Sequence, residues 1–314
     1  MLKKIPTPIL ITGAKGFIGS NLLRRLICKG YETNIIVRTK DNCWRIEDIL
    51  NKTNIFFEDL TNFKLINKII NKLKPKTIFH LAAYGAYEYQ NEIEKIKRVN
   101  LDATINLINT CTEQGFNTFI NTGSNSEYGL KKNPMKETDV LTPNSYYAVF
   151  KAASTLFCQY ESISKKLPII SIRPFHVYGP YEEKTRLIPN LISSILFNRC
   201  PPLSNPENVR DMVYIEDAVN FYLSLTNENV DYGSIFNLGT GTQHSLKEIV
   251  DTTLALTESK IKITWNSMPS RKWDQTVWQA DMNNTNKILG WTPVNSLRTG
   301  LSKTIEWHKH YYQN

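Results

Sequence analysis

Residues 9–19, Ile9-Leu10-Ile11-Thr12-Gly13-Ala14-Lys15-Gly16-Phe17-Ile18-Gly19, decide how this 314-residue chain is read. A strand-length apolar run comes first, Gly13, Gly16 and Gly19 follow in two steps of three, and a helical pattern opens at Phe17. Glycine lets a turn tighten and lets backbone approach a ligand, while the amides and dipole at a helix N-terminus favour negative charge. Strand, glycine turn and helix in that order form a cradle for a pyrophosphate. The spacing departs from the commoner dinucleotide fingerprint, whose first two glycines lie two apart, so its context has to carry the argument.

That context is a strict alternation. Ile9 to Ile11, Asn34 to Val37, Ile55 to Phe57, Thr77 to His80, Thr118 to Asn121 and Ile169 to Ile172 read as buried strands. Amphipathic segments at Phe17 to Lys29, Phe63 to Leu73, Glu92 to Gln114 and Tyr146 to Lys165 separate them, with Gly30 and Gly115 where helix ends need a left-handed residue. The pattern predicts an α/β fold with a doubly wound parallel sheet, Rossmann-like, which binds ligands at the carboxyl edge of its strands. Residues 1–173 are expected to form the NADP-binding domain. Beyond them Pro174, Pro180, Pro189, Pro201, Pro202 and Pro206 break the rhythm, and helices are expected at Ser245 to Glu258 and Ser296 to His308. Residues 174–314 are therefore expected to form a smaller, mixed α/β substrate domain. The two are interleaved, because the strand Met212 to Ile215 and the run Ile235 to Leu238 are predicted to rejoin the main sheet, in returning segments near 211–238.

Hydrophobic residues at 41% and charged residues at 21% describe an ordinary globular protein, and no apolar run has the length of a bilayer span. No membrane association is expected. Lys3, Lys4 and the apolar residues after them are too short for a signal peptide, which predicts a cytoplasmic protein. Cys28, Cys43, Cys111, Cys158 and Cys200 lack metal-ligand or redox spacing, so no metal site is expected. The net charge of +9 is spread over short segments and not gathered into a basic stripe, which argues against nucleic acid as a partner. A modest positive field suits a small polyanion such as a nucleotide diphosphate, provided that specific arginines hold it.

Tyr147 and Lys151 lie four residues apart on one face of the expected helix, and Ser124 precedes them at a strand end. An ammonium beside a phenol lowers its pKa from about 10 toward the working range. The tyrosine can then exchange a proton with a substrate oxygen that the serine orients, as hydride transfer requires. The same spacing at Tyr128 and Lys132 is interrupted by Gly129 and followed by Pro134, so it is read as a loop. The strand Asn34 to Val37 ends without the carboxylate that a ribose 2′-hydroxyl calls for; Arg38 stands there and suits a 2′-phosphate, although an exposed arginine with no ligand has the same sequence. NADP(H) is expected ahead of NAD(H).

Gly13, Gly16 and Gly19, Asp59, the run His80-Leu81-Ala82-Ala83, Ser124 and the Tyr147/Lys151 pair resemble the extended short-chain dehydrogenase/reductase family of nucleotide-sugar enzymes, the NAD-dependent epimerase/dehydratase family. So do Arg173 to Pro180, Val209-Arg210-Asp211, Phe236 to Gly239 and Arg271 with Gly290-Trp291-Thr292-Pro293. The resemblance implies that Gly13, Gly16, Phe17, Ile18 and Gly19 hold the cofactor pyrophosphate, Asp59 and Leu60 contact its adenine, Leu81, Ala82 and Ala83 line its path, and Pro174 borders its nicotinamide. It implies that Arg210 and Arg271 grip a sugar-nucleotide diphosphate, and that Asn125, His176 and Arg186 face the substrate, with Asn100 nearby. His176 departs from the asparagine of the 4-epimerases.

Asn125 and Ser126 replace the Asp-Glu pair of the 4,6-dehydratases, which argues against elimination, and Ser126 and Arg186 replace the cysteine and histidine of double epimerisation. The expected activity is NADPH-dependent reduction of the keto group of a nucleotide-linked 4-keto-6-deoxyhexose in deoxysugar and surface-polysaccharide (O-antigen) biosynthesis, as in the abequose-type reductases, CDP-abequose synthase and its relatives. Two alternatives stand beside it: a nucleotide-sugar 4-epimerase with tightly bound NAD, and a non-catalytic nucleotide-binding regulator. The resemblance also implies a homodimer formed through segments 92–114 and 146–165.

Overall fold

The computed structural model of the protein describes residues 4–87, 89–268 and 277–313. From the amino end the elements are β1 (Ile9–Thr12), α1 (Phe17–Cys28), β2 (Thr33–Val37), β3 (Asn54–Phe57), α2 (Phe63–Leu73), β4 (Thr77–His80), α3 (Ile93–Lys97), α4 (Ala103–Gln114), β5 (Thr118–Thr122), α5 (Tyr146–Lys165) and β6 (Ile169–Pro174). Then come β7 (His176–Tyr178), α6 (Leu187–Leu196), β8 (Val209–Tyr214), α7 (Ile215–Ser224), β9 (Ile235–Leu238), β10 (Gln243–Ser245), α8 (Leu246–Thr257), α9 (Asn283–Leu289) and α10 (Leu297–Gln313).

The chain divides into two units, Met1–Gly129 with Val140–Pro174 and Val219–Phe236, and Leu130–Asp139 with Phe175–Ala218 and Asn237–Asn314. The large sheet has the order β3-β2-β1-β4-β5-β6-β9, and β1 pairs in parallel with both β2 and β4. Strands β1, β2, β4, β5 and β6 are buried along their whole length, which is why they read as continuous apolar or β-branched runs and not as alternations. Leu10, Ile36, Ile78 and Phe119 from the strands meet Ile70 of α2 and Leu107 of α4 in one core. The chain winds from β1 toward β3 in one direction and from β4 toward β6 in the other, so the strand order reverses between β1 and β4. A crevice opens at such a reversal, at the carboxyl ends of the strands.

Local chemistry explains several element boundaries. Ser145 caps α5 by accepting from Ala148 N at 3.2 Å, Ser245 caps α8 by accepting from Glu248 N at 3.1 Å, and Gly30 and Gly115 take φ +78° and +67°. No helix runs through residues 129–145, so Tyr128 and Lys132 share none. The segment expected as one helix, 92–114, contains a π-helical turn at Arg98–Asp102 between α3 and α4. Asn100 in that turn is clasped by the Tyr84 backbone, accepting from its N–H at 2.9 Å and donating to its carbonyl at 2.7 Å.

One expectation is corrected. Of the two segments predicted to rejoin the large sheet, only β9 does. β8 lies in a separate three-stranded sheet, parallel to β7 and antiparallel to β10, and Ile215 opens α7. Both edges of β8 are occupied by these shorter strands, a pairing that the apolar pattern of Met212 to Ile215 does not encode. Among the described residues no helix is long and apolar enough to cross a membrane.

Candidate active site

The turn after β1 has a shape that only glycine permits. Gly13 sits at φ +75°, and a Cβ there would lie 2.6 Å from Ala82 N and Leu81 C. A Cβ on Gly19 would enter the Gly13 carbonyl, and Gly16 N donates to that same oxygen at 2.9 Å. The turn after β1 is thus pressed against the segment after β4, where the strand order reverses. No side chain caps α1 and its first turn holds no acidic residue, so the amides opened by Phe17 and Ile18 lack both an intrahelical acceptor and a compensating charge. An anion fits that opening, and the closely approached backbone leaves room for a pyrophosphate.

Leu81 and Ala82 are fixed by a chain of hydrogen bonds with a readable direction. Thr104 Oγ1 donates to Asn100 O at 2.9 Å, which leaves it to accept from His80 Nε2 at 2.9 Å. His80 Nδ1 therefore accepts from Thr12 Oγ1 at 2.7 Å, and Thr12 Oγ1 accepts from Ala82 N at 3.3 Å. Burial first, then the Lys151 charge, hold His80 down at about 3, so the ring stays neutral in this one tautomer. Ala83 follows at the surface.

Arg38 directly follows β2 and is exposed, and Lys15 of the glycine turn donates its Nζ to Thr39 O at 3.0 Å and to Asp41 O. Two cations therefore converge on the end of β2. Asp59 spends its carboxylate on its own turn, where Oδ1 accepts from Thr61 N at 2.8 Å and Thr61 Oγ1 at 2.7 Å, while Leu60 packs on the core.

At the far side of the reversal, β5 ends in Thr122, and Ser124 caps the following 3₁₀ turn, which begins at Asn125. Ser124 Oγ accepts from Ser126 N at 3.2 Å, and Asn125 is half-buried. Tyr147 stands half-buried in the first turn of α5, and Lys151 one turn on is buried with its Nζ donating to Thr122 O at 2.7 Å. Burial brings Lys151 down to about 8, against the opposing pull of Glu127. Tyr222 is buried beside this group, its hydroxyl 2.9 Å from Thr122 Oγ1. Burial, and secondarily the Tyr147 phenol, raises the pKa of Tyr222 despite that hydrogen bond. Pro174 is buried at the end of β6.

The sequence reading gave Glu127 no role, although it lies in the Gly123-Ser124-Asn125-Ser126-Glu127-Tyr128-Gly129 loop that carries part of the resemblance to the abequose-type reductases. Its carboxylate, wholly buried, accepts from Ser124 N at 2.8 Å, Thr155 Oγ1 at 3.0 Å and Arg173 Nε at 2.8 Å. The capping pattern Ser124-x-x-Glu127 was the available signal. Its partner Arg173, 50 positions downstream of Gly123 on β6, lies over the Tyr128 ring at 4.7 Å.

In the second unit His176, Arg186 and Arg210 come together. Burial first, then the charges of Arg210 and Arg186, hold His176 down at about 3. Arg210 donates Nη1 to Val209 O at 2.6 Å, and its guanidinium lies 5.4 Å from the Trp278 ring. Beside it on β8, the buried Asp211 accepts from Thr240 N at 2.8 Å, Thr240 Oγ1 at 2.6 Å, Gly241 N at 3.1 Å and Ala280 N at 3.1 Å. Two guanidinium groups around a neutral imidazole suit a dianion. Arg271 lies outside the described residues.

The chain is similar over most of its length to the dTDP-D-glucose 4,6-dehydratase of Mus musculus, at 27% identity over 98% of this chain and 90% of that protein. It is 28% identical to the Bacillus subtilis protein named as an uncharacterized UDP-glucose epimerase, YtcB, over 97% of this chain and 99% of that one. The crystal structure of UDP-glucose 4-epimerase from Thermotoga maritima with UDP-glucose shares the fold, with a TM-score of 0.88 and 23% identity over 97% of this chain and 99% of that one. The family model described as "NAD dependent epimerase/dehydratase family" matches residues 9–239, which contain the glycine turn, the reversal point and the Ser124, Tyr147 and Lys151 group; the chain belongs to that family.

Proposed function

We propose that this chain is a nucleotide-sugar enzyme that reduces the 4-keto group of a nucleotide-linked 4-keto-6-deoxyhexose with NADPH. The observation that carries the reading is the α5 face on which Tyr147 precedes a buried lysine ammonium held at 2.7 Å from Thr122 O, next to the loop of Ser124. A nicotinamide cofactor bound along the glycine turn supplies the hydride. The protein's share is the oxygen: Ser124 and Tyr147 hold it, Tyr147 gives its phenolic proton as charge develops there, and the Lys151 ammonium stabilises the phenolate that remains. Asn125 and Ser126 offer neither a carboxylate nor a carboxylic acid for elimination of water. Arg186 and Arg210 would bind the substrate diphosphate, with Arg271 as a third candidate. The experiment is incubation with NADPH and 4-keto-6-deoxy sugars carrying CDP, dTDP, UDP or GDP, following loss of the reduced cofactor and the product configuration by NMR.

The full-length similarity to the B. subtilis protein named as an epimerase favours a second reading, 4-epimerisation with retained NAD. Both use the same proton donor. An epimerase interconverts its substrates with no net consumption of cofactor, whereas the reductase oxidises one NADPH per sugar.

Arg38 and Lys15 at the end of β2 support NADPH over NADH. Charged hydrogen bonds are worth about 1.5–3 kcal/mol, so Arg38→Ala is expected to raise the Michaelis constant for NADPH roughly 10- to 100-fold and to leave that for NADH nearly unchanged. Equal sensitivity of the two cofactors would exclude a 2′-phosphate contact.

A homodimer through α5 is supported by its outer face. Val149, Leu156, Tyr160 and Ile163 recur at helical spacing and are 42%, 52%, 66% and 57% exposed. Light scattering on the eluting protein is expected to give twice the chain mass, and Tyr160→Glu with Ile163→Glu to give the monomer.

A further inference from the structure

A buried ion pair between two elements usually serves as a staple, and an apolar pair of similar volume often does that as well. The Glu127–Arg173 pair has a third charge beside it. Glu127 Oε2 faces Arg173, while Oε1 faces Ser124 N and Thr155 Oγ1, and Thr155 lies one turn beyond Lys151 on the same face of α5. Gly123 makes the approach possible, because a Cβ there would strike Oε1. From these contacts we infer that Glu127 is a positioning residue for the active site: its carboxylate is the counter-charge of the Lys151 ammonium and, through Oε1, the anchor of Ser124.

The surrounding groups make this assignment specific. β4 presents His80, which stays neutral, and α5 presents Cys158, whose thiol burial pushes up to about 12 and so keeps uncharged. β6 presents Arg173, β5 the Thr122 carbonyl, and α7 the buried phenol of Tyr222 near Tyr147. Among the described groups facing Lys151, Glu127 is the one carboxylate, and it raises the lysine's pKa against burial. Without it the Lys151 ammonium loses the carboxylate that raises its pKa, and the buried Arg173 guanidinium loses its ion-pair partner. The catalytic meaning of this counter-charge rests on the reductase reading above; the counter-charge itself does not.

The test reads Lys151 directly. In the full chain labelled with ¹³C-lysine, the Lys151 side-chain resonance is the one missing from Lys151→Met, and its midpoint is followed by NMR against pH. Glu127→Gln keeps an acceptor for Ser124 N and removes the charge; its midpoint is expected to fall by about one pH unit or more. If that variant fails to fold, Glu127→Gln with Arg173→Gln also removes the guanidinium that the first change leaves unpaired, and its midpoint is expected to fall as well because the carboxylate that raises the Lys151 midpoint is absent there too. A folded variant that titrates with the wild-type midpoint overturns the inference, whereas a purely structural staple would change the melting temperature and leave the midpoint in place. The measurement needs no substrate. A wild type that turns over no keto sugar would therefore remove the reductase reading alone.

Discussion

Tyr147→Phe is expected to lower turnover by about 10²- to 10⁴-fold, the usual contribution of a positioned proton donor, with the melting temperature and NADPH affinity close to wild type. The ring stays and only the hydroxyl goes, so packing at the start of α5 is preserved. If the variant turns over at the wild-type rate, the proton comes from elsewhere and the proposed chemistry fails. A protein without turnover in either form would point to the regulatory alternative. The Lys151 position sharpens the expectation. In the proposed chemistry its ammonium supports the phenolate, and it titrates at about 8, so the rate of carbonyl reduction is expected to fall as pH rises through that value. Stability runs the other way. Between about 8 and the ordinary lysine value near 10.4, the unfolded chain binds more protons than the folded one, and the free energy of unfolding therefore gains with pH across that window. A rate profile and a denaturation series over the same pH range should show opposite slopes.

Gly13→Ala is the other substitution with a large expected effect. The new Cβ would lie 2.6 Å from Ala82 N and Leu81 C and 2.7 Å from Leu81 O, all backbone atoms that no rotamer change can move, at a φ of +75° that alanine adopts at a cost. A clash and strain together belong to the class of mutations costing more than about 4 kcal/mol. Either the β1 turn separates from the β4 segment, with cofactor binding lost by calorimetry, or the whole unit melts early. Gly30→Ala is the control, because its φ of +78° is strained but a Cβ there meets nothing within 4 Å. It should show only the backbone cost of about 1 kcal/mol and keep its cofactor. Equal behaviour of the two would mean that the close approach at Gly13 does not matter.

Much of the first unit was legible because its information is local. Continuous apolar runs mark strands buried on both faces, Ser145 marks a helix start, and Gly30 and Gly115 mark helix ends. The π turn at Arg98–Asp102 was hidden, since it answers to a side-chain clasp between Asn100 and Tyr84, 16 positions apart. The fate of β8 was hidden for a similar reason. A strand's apolar pattern says that it will be buried and does not say which neighbours will bury it, and His176 and Gln243 belong to the strands that do.

The order of strand and helix, the glycine turn and the four-residue spacing of Tyr147 and Lys151 follow from the sequence by itself, because each depends on backbone preferences or helix geometry within a few residues. Which groups face the lysine was decided only by the tertiary structure. His80 and Glu127 approach it from two different elements, and the charge of Glu127 acts through a dry interior whose dielectric no short stretch of sequence sets.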